Sequence, residues 1–338
     1  MTVPAPRDGG LPSGGAPIAP SEYLDFVAKE YLSGYVSQGG SAVKVLVVGD
    51  ESVARELADG LAGVGDGFAH VALDAASTRV HLIDQMFAAV AAQLDWNALA
   101  AAMVRYAYSR ADLPAPGTGR DQLTVAEVAA HHELDAGEVY RSVRRAMESA
   151  ILGDASLSHE FRTAMVRLCS AMLDRGDVDA AEHSTVLGWL RGEKQPAAAL
   201  RRVGLFARVA RHNARPLLVS VTRWVRRTGM AGIVITIDLE RLLVSRRPPA
   251  GLRDGVYYSK AAALDAYEVL RQLIDATDEL EGLFVAVLLP PELVTDDARG
   301  LPAYTALHLR VADEVRDRRR PNPYAALVRI GVRLEAVR

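Results

Sequence analysis

The sequence contains one cysteine, no apolar run long enough to cross a membrane, and no excess of charge of either sign. Cys169 cannot form an intramolecular disulfide, and its place in the helical pattern FRTAMVRLCSAML predicts a buried thiol, not a nucleophile. The 39 Lys and Arg residues are balanced by 42 Asp and Glu residues, so any contact with nucleic acid would need a local basic patch. These absences predict a cytoplasmic protein without a membrane partner.

The first 20 residues lack both the basic start and the apolar centre of a secretory signal. They are rich in Pro, Gly and Ala, which predicts a disordered tail over residues 1–20. Half of the whole sequence is apolar, so the rest of the chain can bury a sizeable core.

Short apolar runs rich in β-branched residues recur along the chain and are typical of buried parallel strands. We expect these strands near 43–49, 68–73, 232–238, 283–289 and 326–331. Segments with helical periodicity separate them, which predicts an α/β fold with one mainly parallel sheet. The stretch 74–231 shows no strand pattern. We therefore predict a core formed by 21–73 and 232–338, interrupted by a helical insertion over 74–231.

The segment KVLVVGDESVARELADGL lies where a strand and a helix would flank a phosphate-binding loop. The GxxxxGK[ST] pattern, which cradles phosphates and supplies a lysine, is absent. The stretch offers only Gly49, Asp50, Ser52 and Arg55, with Glu51 adding a second carboxylate that would repel a polyphosphate. A strand, turn and helix without a ligand is the favoured interpretation. A weak ATP–Mg site that uses Ser52, Arg55 and Asp238 stays open as an alternative.

Asp238 ends the apolar run GIVITID, a place from which a carboxylate can hold magnesium through water. A hydrolytic site usually has a second acid directly after it, but that residue is Leu239. Glu240 is one residue late and, on an extended strand, would point to the opposite face. The alternative is that Asp238 only caps the helix that follows.

Residues 124–148 have the layout of a helix-turn-helix, with Thr124 as a cap. The second helix carries Arg141, Arg144 and Arg145, which are candidate DNA contacts. Glu133 replaces the glycine that is common in such a turn, so a helical hairpin is the favoured interpretation and DNA binding the alternative. We predict no catalytic residue and no metal ligand from motif spacing.

Several stretches, in order, resemble the ATP-binding family of bacterial phage-exclusion (BREX) systems, which are AAA+-like P-loop ATPases. They are EYLDFVAKEYLSGYVSQGGSAVKVLVVGD, DAASTRVHLIDQMFAAVAAQLDW, VLGWLRGEK, GMAGIVITIDLERLL and YEVLRQLIDATDELEGLFVAVLLPPEL. The resemblance implies that the 44–61 turn is the Walker A position, GIVITIDLE the Walker B strand, and FVAVLLPPE the strand that ends in the polar sensor.

At each of these positions the sequence departs from the active pattern: Gly-Lys-Ser/Thr is missing after Gly49, Leu239 replaces the second acid, and Leu289 with Pro290 replaces a polar residue. We therefore expect a degenerate ATPase-like protein whose partners are an active relative or other defence subunits. AAA+ sites form between subunits, so an arginine could be supplied to a neighbour. The candidates are Arg79, Arg226, Arg227, Arg246 and Arg247.

Overall fold

The computed structural model describes residues 16–114, 124–173, 176–252, 254–312 and 321–331. Most of the predicted tail lies outside these ranges. Its last residues are ordered, contrary to the prediction for 1–20. Ile18 forms a parallel bridge with Ile330, and its amide donates a hydrogen bond of 3.0 Å to the Arg329 carbonyl oxygen. The chain is therefore held against the sheet before its first helix begins.

Five strands form one parallel sheet: β1 (Ser41–Val48), β2 (Phe68–Asp74), β3 (Gly232–Asp238), β4 (Leu283–Leu289) and β5 (Leu327–Ile330). Their order across the sheet is β2-β3-β4-β1-β5. The five predicted strands are confirmed, each within a few residues. Every residue of β4 is buried, which explains why its sequence is continuously apolar instead of alternating.

Helices fill the rest of the described chain. Before β2 there are α1 (Pro20–Phe26), which continues as a π-helix (Val27–Val36), and α2 (Glu51–Gly63). Between β2 and β3 the structure has α3 (Ile83–Ala92), α4 (Trp96–Arg110), α5 (Val125–His131), α6 (Ala136–Leu152), α7 (His159–Met172), α8 (Ala180–Leu190), α9 (Ala197–Arg202) and α10 (Arg211–Arg227). After β3 come α11 (Lys260–Asp275), α12 (Pro291–Thr295) and α13 (Thr305–Val311). The described residues between β2 and β3 form no strand, as expected.

The two faces of the sheet are covered unequally. A small apolar cluster joins one face to α1, the π-helix and α2, while the other face packs on the larger core that contains α3 to α11 and α13. The connection after β1 leads to the β2 edge, and the connection after β4 crosses β1 to reach β5. Neighbouring strands β1 and β4 thus continue in opposite directions. The carboxyl ends of two such strands open the crevice where α/β proteins bind ligands.

Candidate functional site

The turn between β1 and α2 consists of Gly49 and Asp50 alone. Asp50 is extended and caps α2: one carboxylate oxygen accepts hydrogen bonds from the Ser52 amide at 2.7 Å, the Ser52 hydroxyl at 2.5 Å and the Val53 amide at 3.4 Å. These hydrogen bonds lower the pKa of Asp50. The amides at the start of α2, which would face a bound phosphate, are therefore satisfied by the protein's own carboxylate.

The remaining residues of this turn are also engaged. Arg55 pairs with Glu51 at 2.7 Å, with 64% of its side chain exposed. The ring of Pro291 packs over the turn, 3.3 Å from the place where a side chain on Gly49 would begin. The short connection and the proline ring leave no backbone loop that curls around a ligand.

The Asp238 carboxylate accepts a 2.8 Å hydrogen bond from the Glu240 amide, at the start of the 3-10 turn Glu240–Leu243. Leu239 holds the cap position of that turn, so capping by Asp238 stays a prediction. The expectation for Glu240 was wrong. The strand ends at Asp238 and the chain turns, so Glu240 lines the same pocket as Asp238 instead of pointing to the opposite face.

This pocket lies at the carboxyl ends of β1, β3 and β4 and has a volume of about 120 Å³. Five carboxylates line it, and we call it the acidic pocket: Asp50, Glu51, Asp238, Glu240 and Glu292. The described residues around it include neither lysine nor arginine. It occupies the crevice that the strand order marks as the ligand position.

Burial and repulsion between carboxylates raise the pKa of two residues of the acidic pocket. Burial raises the pKa of Asp238, and the charges of Asp74 and Glu51 raise it further, against a hydrogen bond that lowers it. Burial and the charge of Asp238 are the main causes that raise the pKa of Glu240. The pocket therefore disfavours additional negative charge.

The positions that correspond to the second acid and to the polar sensor hold apolar residues, and their surroundings in the structure are apolar or backbone. Leu239 is buried, and its amide donates a 3.1 Å hydrogen bond to the Leu288 carbonyl oxygen. Leu289 ends β4, and Pro290 follows it along the wall of the acidic pocket. Neither position offers a side chain that could orient water.

A wider cavity of about 640 Å³ continues from the acidic pocket toward β2. Its lining adds Asp74, Ser77, Thr236 and Arg241 to the predicted residues. None of these four residues was predicted from the sequence. Asp74 and Ser77 could have been found, since they follow a predicted strand at the same sheet edge as Asp238.

The residues of the predicted helix-turn-helix-like pair form two helices, α5 and α6. Thr124 forms a capping box with Glu127, and Val128 is buried. Glu133 has a φ of 56°, the backbone conformation for which such turns favour glycine.

The candidate DNA contacts Arg141, Arg144 and Arg145 are all exposed on α6. Arg144 is already bound to Glu148 and Asp177, each at 2.8 Å. Arg141 and Arg145 remain as the arginines of this face without such an ion pair among the described residues. DNA binding by this pair stays a prediction.

The five interface arginines fall into two groups. Arg226 donates hydrogen bonds to the carbonyl oxygens of Val36 at 3.0 Å and Ser37 at 2.9 Å. Arg227 pairs with Asp154 and donates to the Ala150 carbonyl oxygen. These contacts hold α10 against the rest of the chain. Neither arginine can reach a neighbouring subunit unless its internal hydrogen bonds break. The other three are exposed: Arg79, Arg246 and Arg247.

Cys169 is fully buried, as predicted, and burial raises the pKa of its thiol. No group of three or more His, Cys, Asp or Glu residues in the described ranges could hold a metal ion. No single helix of the described chain is long and apolar enough to cross a membrane. Only α3 and α4 taken together meet that test, across a bend of 73°.

Comparison with known proteins gives one match. The family model for the BREX system ATP-binding protein BrxC/D matches residues 122–332, more than half of the chain, including β3, β4 and β5. The β1–α2 turn lies outside the matched span. No curated protein and no solved structure matches. The chain belongs to the BREX system ATP-binding protein BrxC/D family.

Proposed function

We propose that this chain is a non-hydrolysing, AAA+-like member of its family, which acts as a structural or regulatory subunit of a phage-defence system. The observation that carries the proposal is the Asp50 carboxylate at the start of α2. In an ATPase of this kind, that helix start receives the phosphates of the nucleotide. Here an internal anion takes the same donors, so nucleotide binding would first have to displace it.

The surroundings of Asp50 support the same conclusion. A magnesium-bound triphosphate needs donors for its oxygens and cations for its charge. The acidic pocket offers five carboxylates and, within the described chain, no basic lining residue. ATP–Mg does not fit this set of residues.

The sheet supports an origin from a P-loop ATPase. The acidic pocket lies between β1 and β4, at the switch point of the strand order, with Asp238 at the end of β3. A nucleotide fold that lost its donors would keep this arrangement, because the buried strands are needed for stability regardless of catalysis.

Such a subunit would act through assembly. Its partners would be an active ATPase relative or other subunits of the system. Arg79, Arg246 and Arg247 are exposed and are the arginines that could reach a neighbouring site. Arg226 and Arg227 are excluded from this role by their internal hydrogen bonds.

The first test is turnover. We expect ATP hydrolysis no faster than in a buffer control, and no ATP–Mg binding that depends on Asp238. Each missing charge-assisted contact is worth about 1.5–3 kcal/mol, and about 1.4 kcal/mol corresponds to a tenfold change in affinity. The measurement is a turnover assay with calorimetry, repeated with Asp238→Ala. Turnover that the wild type shows and Asp238→Ala lacks would refute the proposal.

The second test concerns assembly. The chain is co-expressed with an ATPase of the same defence system, and the complex is followed by size-exclusion chromatography. We expect a stable complex that does not require ATP. Complex formation that appears only with ATP–Mg and disappears in Asp238→Ala would instead support the alternative, an active ATP-binding protein.

A further inference from the structure

A further cavity, of about 490 Å³, lies beyond β2. It opens between the segment that follows β2 and the segment that leads into α11. Its charged lining residues are Arg79, Arg241 and Arg247, with His81 beside them. No carboxylate is among the described residues that line it. We call it the basic pocket.

The two segments that form this pocket are locked together. The Val256 amide donates a 2.8 Å hydrogen bond to the Ala76 carbonyl oxygen. The Tyr258 hydroxyl donates to the Thr78 carbonyl oxygen at 2.6 Å and accepts from the Val80 amide at 3.2 Å. The walls are therefore fixed before any ligand arrives.

Arg241 belongs to this framework. It donates to the Val256 carbonyl oxygen at 2.8 Å and to the Asp254 carbonyl oxygen at 2.6 Å, and it pairs with the Asp254 carboxylate at 2.9 Å. Its charge is thus partly neutralised, and its removal would loosen the loop.

Arg79 and Arg247 differ from Arg241 in that they are exposed and have no hydrogen bond or ion pair within the described part of the chain. They come from the two different segments, one from each wall. Two arginines without an ion pair in the described part of the chain therefore line one cavity, and guanidinium groups match the geometry of phosphate oxygens.

His81 adds a neutral polar group. Its Nδ1 atom is buried and has no hydrogen-bond partner. Burial is the largest cause that lowers the pKa of His81. The charges of Arg79 and Arg211 lower it further, while those of Asp265 and Asp84 oppose them. The ring therefore adds no positive charge to the pocket at neutral pH, and the two exposed arginines stay the groups that would pair with an anion.

We propose that the basic pocket binds a small phosphate ester of nucleotide size, whose phosphate pairs with Arg79 and Arg247. The volume lies within the usual range of small-molecule sites, roughly 300–1,000 Å³. Tyr257 lines the same cavity and provides an aromatic ring for the organic part of the ligand. Its hydroxyl donates to the Ser245 carbonyl oxygen at 3.4 Å, which keeps the side chain near the wall.

This site shares no lining residue with the acidic pocket. Ligand binding by a single chain goes beyond the assembly function, and the two proposals have different readouts, calorimetry for the ligand and chromatography for the complex, so the failure of one is distinguishable from the failure of the other.

The experiment is calorimetry of the full chain with ADP in EDTA, and separately with pyrophosphate. We expect both probes to bind, and adenosine, which lacks a phosphate, not to bind. Arg79→Ala and Arg247→Ala should each weaken binding roughly ten- to a hundredfold, because each removes a charge-assisted contact. Arg247→Lys, which keeps the charge but not the fork, should fall between Arg247→Ala and the wild type.

Arg246→Ala is the matched control. It removes a neighbouring exposed arginine that does not line the cavity, and it should leave the affinity unchanged. Absence of binding by both probes, or an equal loss in Arg246→Ala, would overturn the proposal. So would binding that is lost in Asp238→Ala but kept in Arg79→Ala and Arg247→Ala, because the ligand would then lie in the acidic pocket.

A final arm tests nucleic acid as the ligand. A short single-stranded oligonucleotide should not compete with ADP at equal phosphate concentration. If it displaces ADP from the wild type at a lower concentration, and its own binding, measured directly by fluorescence anisotropy, is lost in Arg79→Ala, the pocket is a nucleic-acid surface and the proposal of a small ligand is wrong.

Discussion

The acidic pocket and the basic pocket lie on two sides of the same turn but have opposite charge. Glu240 lines the first and its neighbour Arg241 lines the second, so one short 3-10 turn contributes to both. In the acidic pocket the Asp50 carboxylate accepts hydrogen bonds from the amides at the start of α2. In the basic pocket Arg79 and Arg247 form no ion pair with any described residue. The comparison indicates that the strand order of the sheet sets where a crevice forms. The side chains around the crevice then determine whether it can bind an anion.

The largest expected effect comes from breaking the lock that forms the basic pocket. Gly255 has a φ of 91°, and a Cβ atom there would lie 2.4 Å from the Ala76 carbonyl oxygen. Gly255→Val should therefore lower the free energy of unfolding by about 2–4 kcal/mol, through backbone strain and the clash together. Urea unfolding measures it. The control is Gly251→Ala in the same loop, where no atom lies within 4 Å of the added Cβ. Equal stability of the two variants would show that the close contact between the Gly255 and Ala76 segments does not hold the pocket together.

The next effect is at the acidic pocket. Asp50→Ala removes the cap of α2 and should lower the temperature of the unfolding midpoint. Asp50→Ser keeps an acceptor without the charge and should unfold close to the wild-type midpoint. Thermal unfolding of both variants separates the hydrogen bonds from the charge. If Asp50→Ala is as stable as the wild type, the helix start is not held by this carboxylate.

Asp238→Asn should stabilise the protein by about 0.5–1 kcal/mol at neutral pH. The pKa of Asp238 is raised in the folded state, so its ionised form opposes folding, while asparagine keeps the oxygen that accepts from Glu240. The gain should shrink as the pH falls through the folded-state pKa toward the ordinary value, and should vanish below both. Chemical unfolding across this pH range checks the sign. A gain that grows at acidic pH would show that repulsion in the pocket is not the cause.

The smallest effect is expected away from both pockets. Changing Arg141, Arg144 and Arg145 together to Ala should cost about 0.5 kcal/mol or less, because all three are exposed and the ion pairs of Arg144 are at the surface. Fold and assembly should be unchanged. DNA binding is measured by fluorescence anisotropy at several salt concentrations. A DNA affinity that falls steeply with salt and disappears in the triple variant would favour the DNA-binding alternative.

The strands could be predicted from sequence because burial on both faces requires continuous apolar runs. Even the edge strand Phe68–Asp74 and the short Leu327–Ile330 followed this pattern. The positions of Asp50 and Asp238 followed from the strands, since parallel strands end at one edge of the sheet.

The rest depended on how the chain turns after a strand. The Glu240 expectation assumed two more extended residues, whereas a 3-10 turn begins directly after Leu239 and reverses the direction of the side chain. The basic pocket could not be predicted from sequence. Arg79 and Arg247 are far apart in the chain, and both lie on loops that have no periodic pattern. Loop geometry depends on tertiary hydrogen bonds such as that from Val256 to Ala76, which spacing does not reveal.

The cap at Asp50 has a consequence for how this chain responds to the metabolic state of a cell. A protein whose helix start waits for a nucleotide gains stability in proportion to the logarithm of the nucleotide concentration. Here the anion is part of the polypeptide and its concentration cannot fall. If the chain acts as proposed, the order of α2 does not depend on the ATP supply, because its cap is covalently part of the chain.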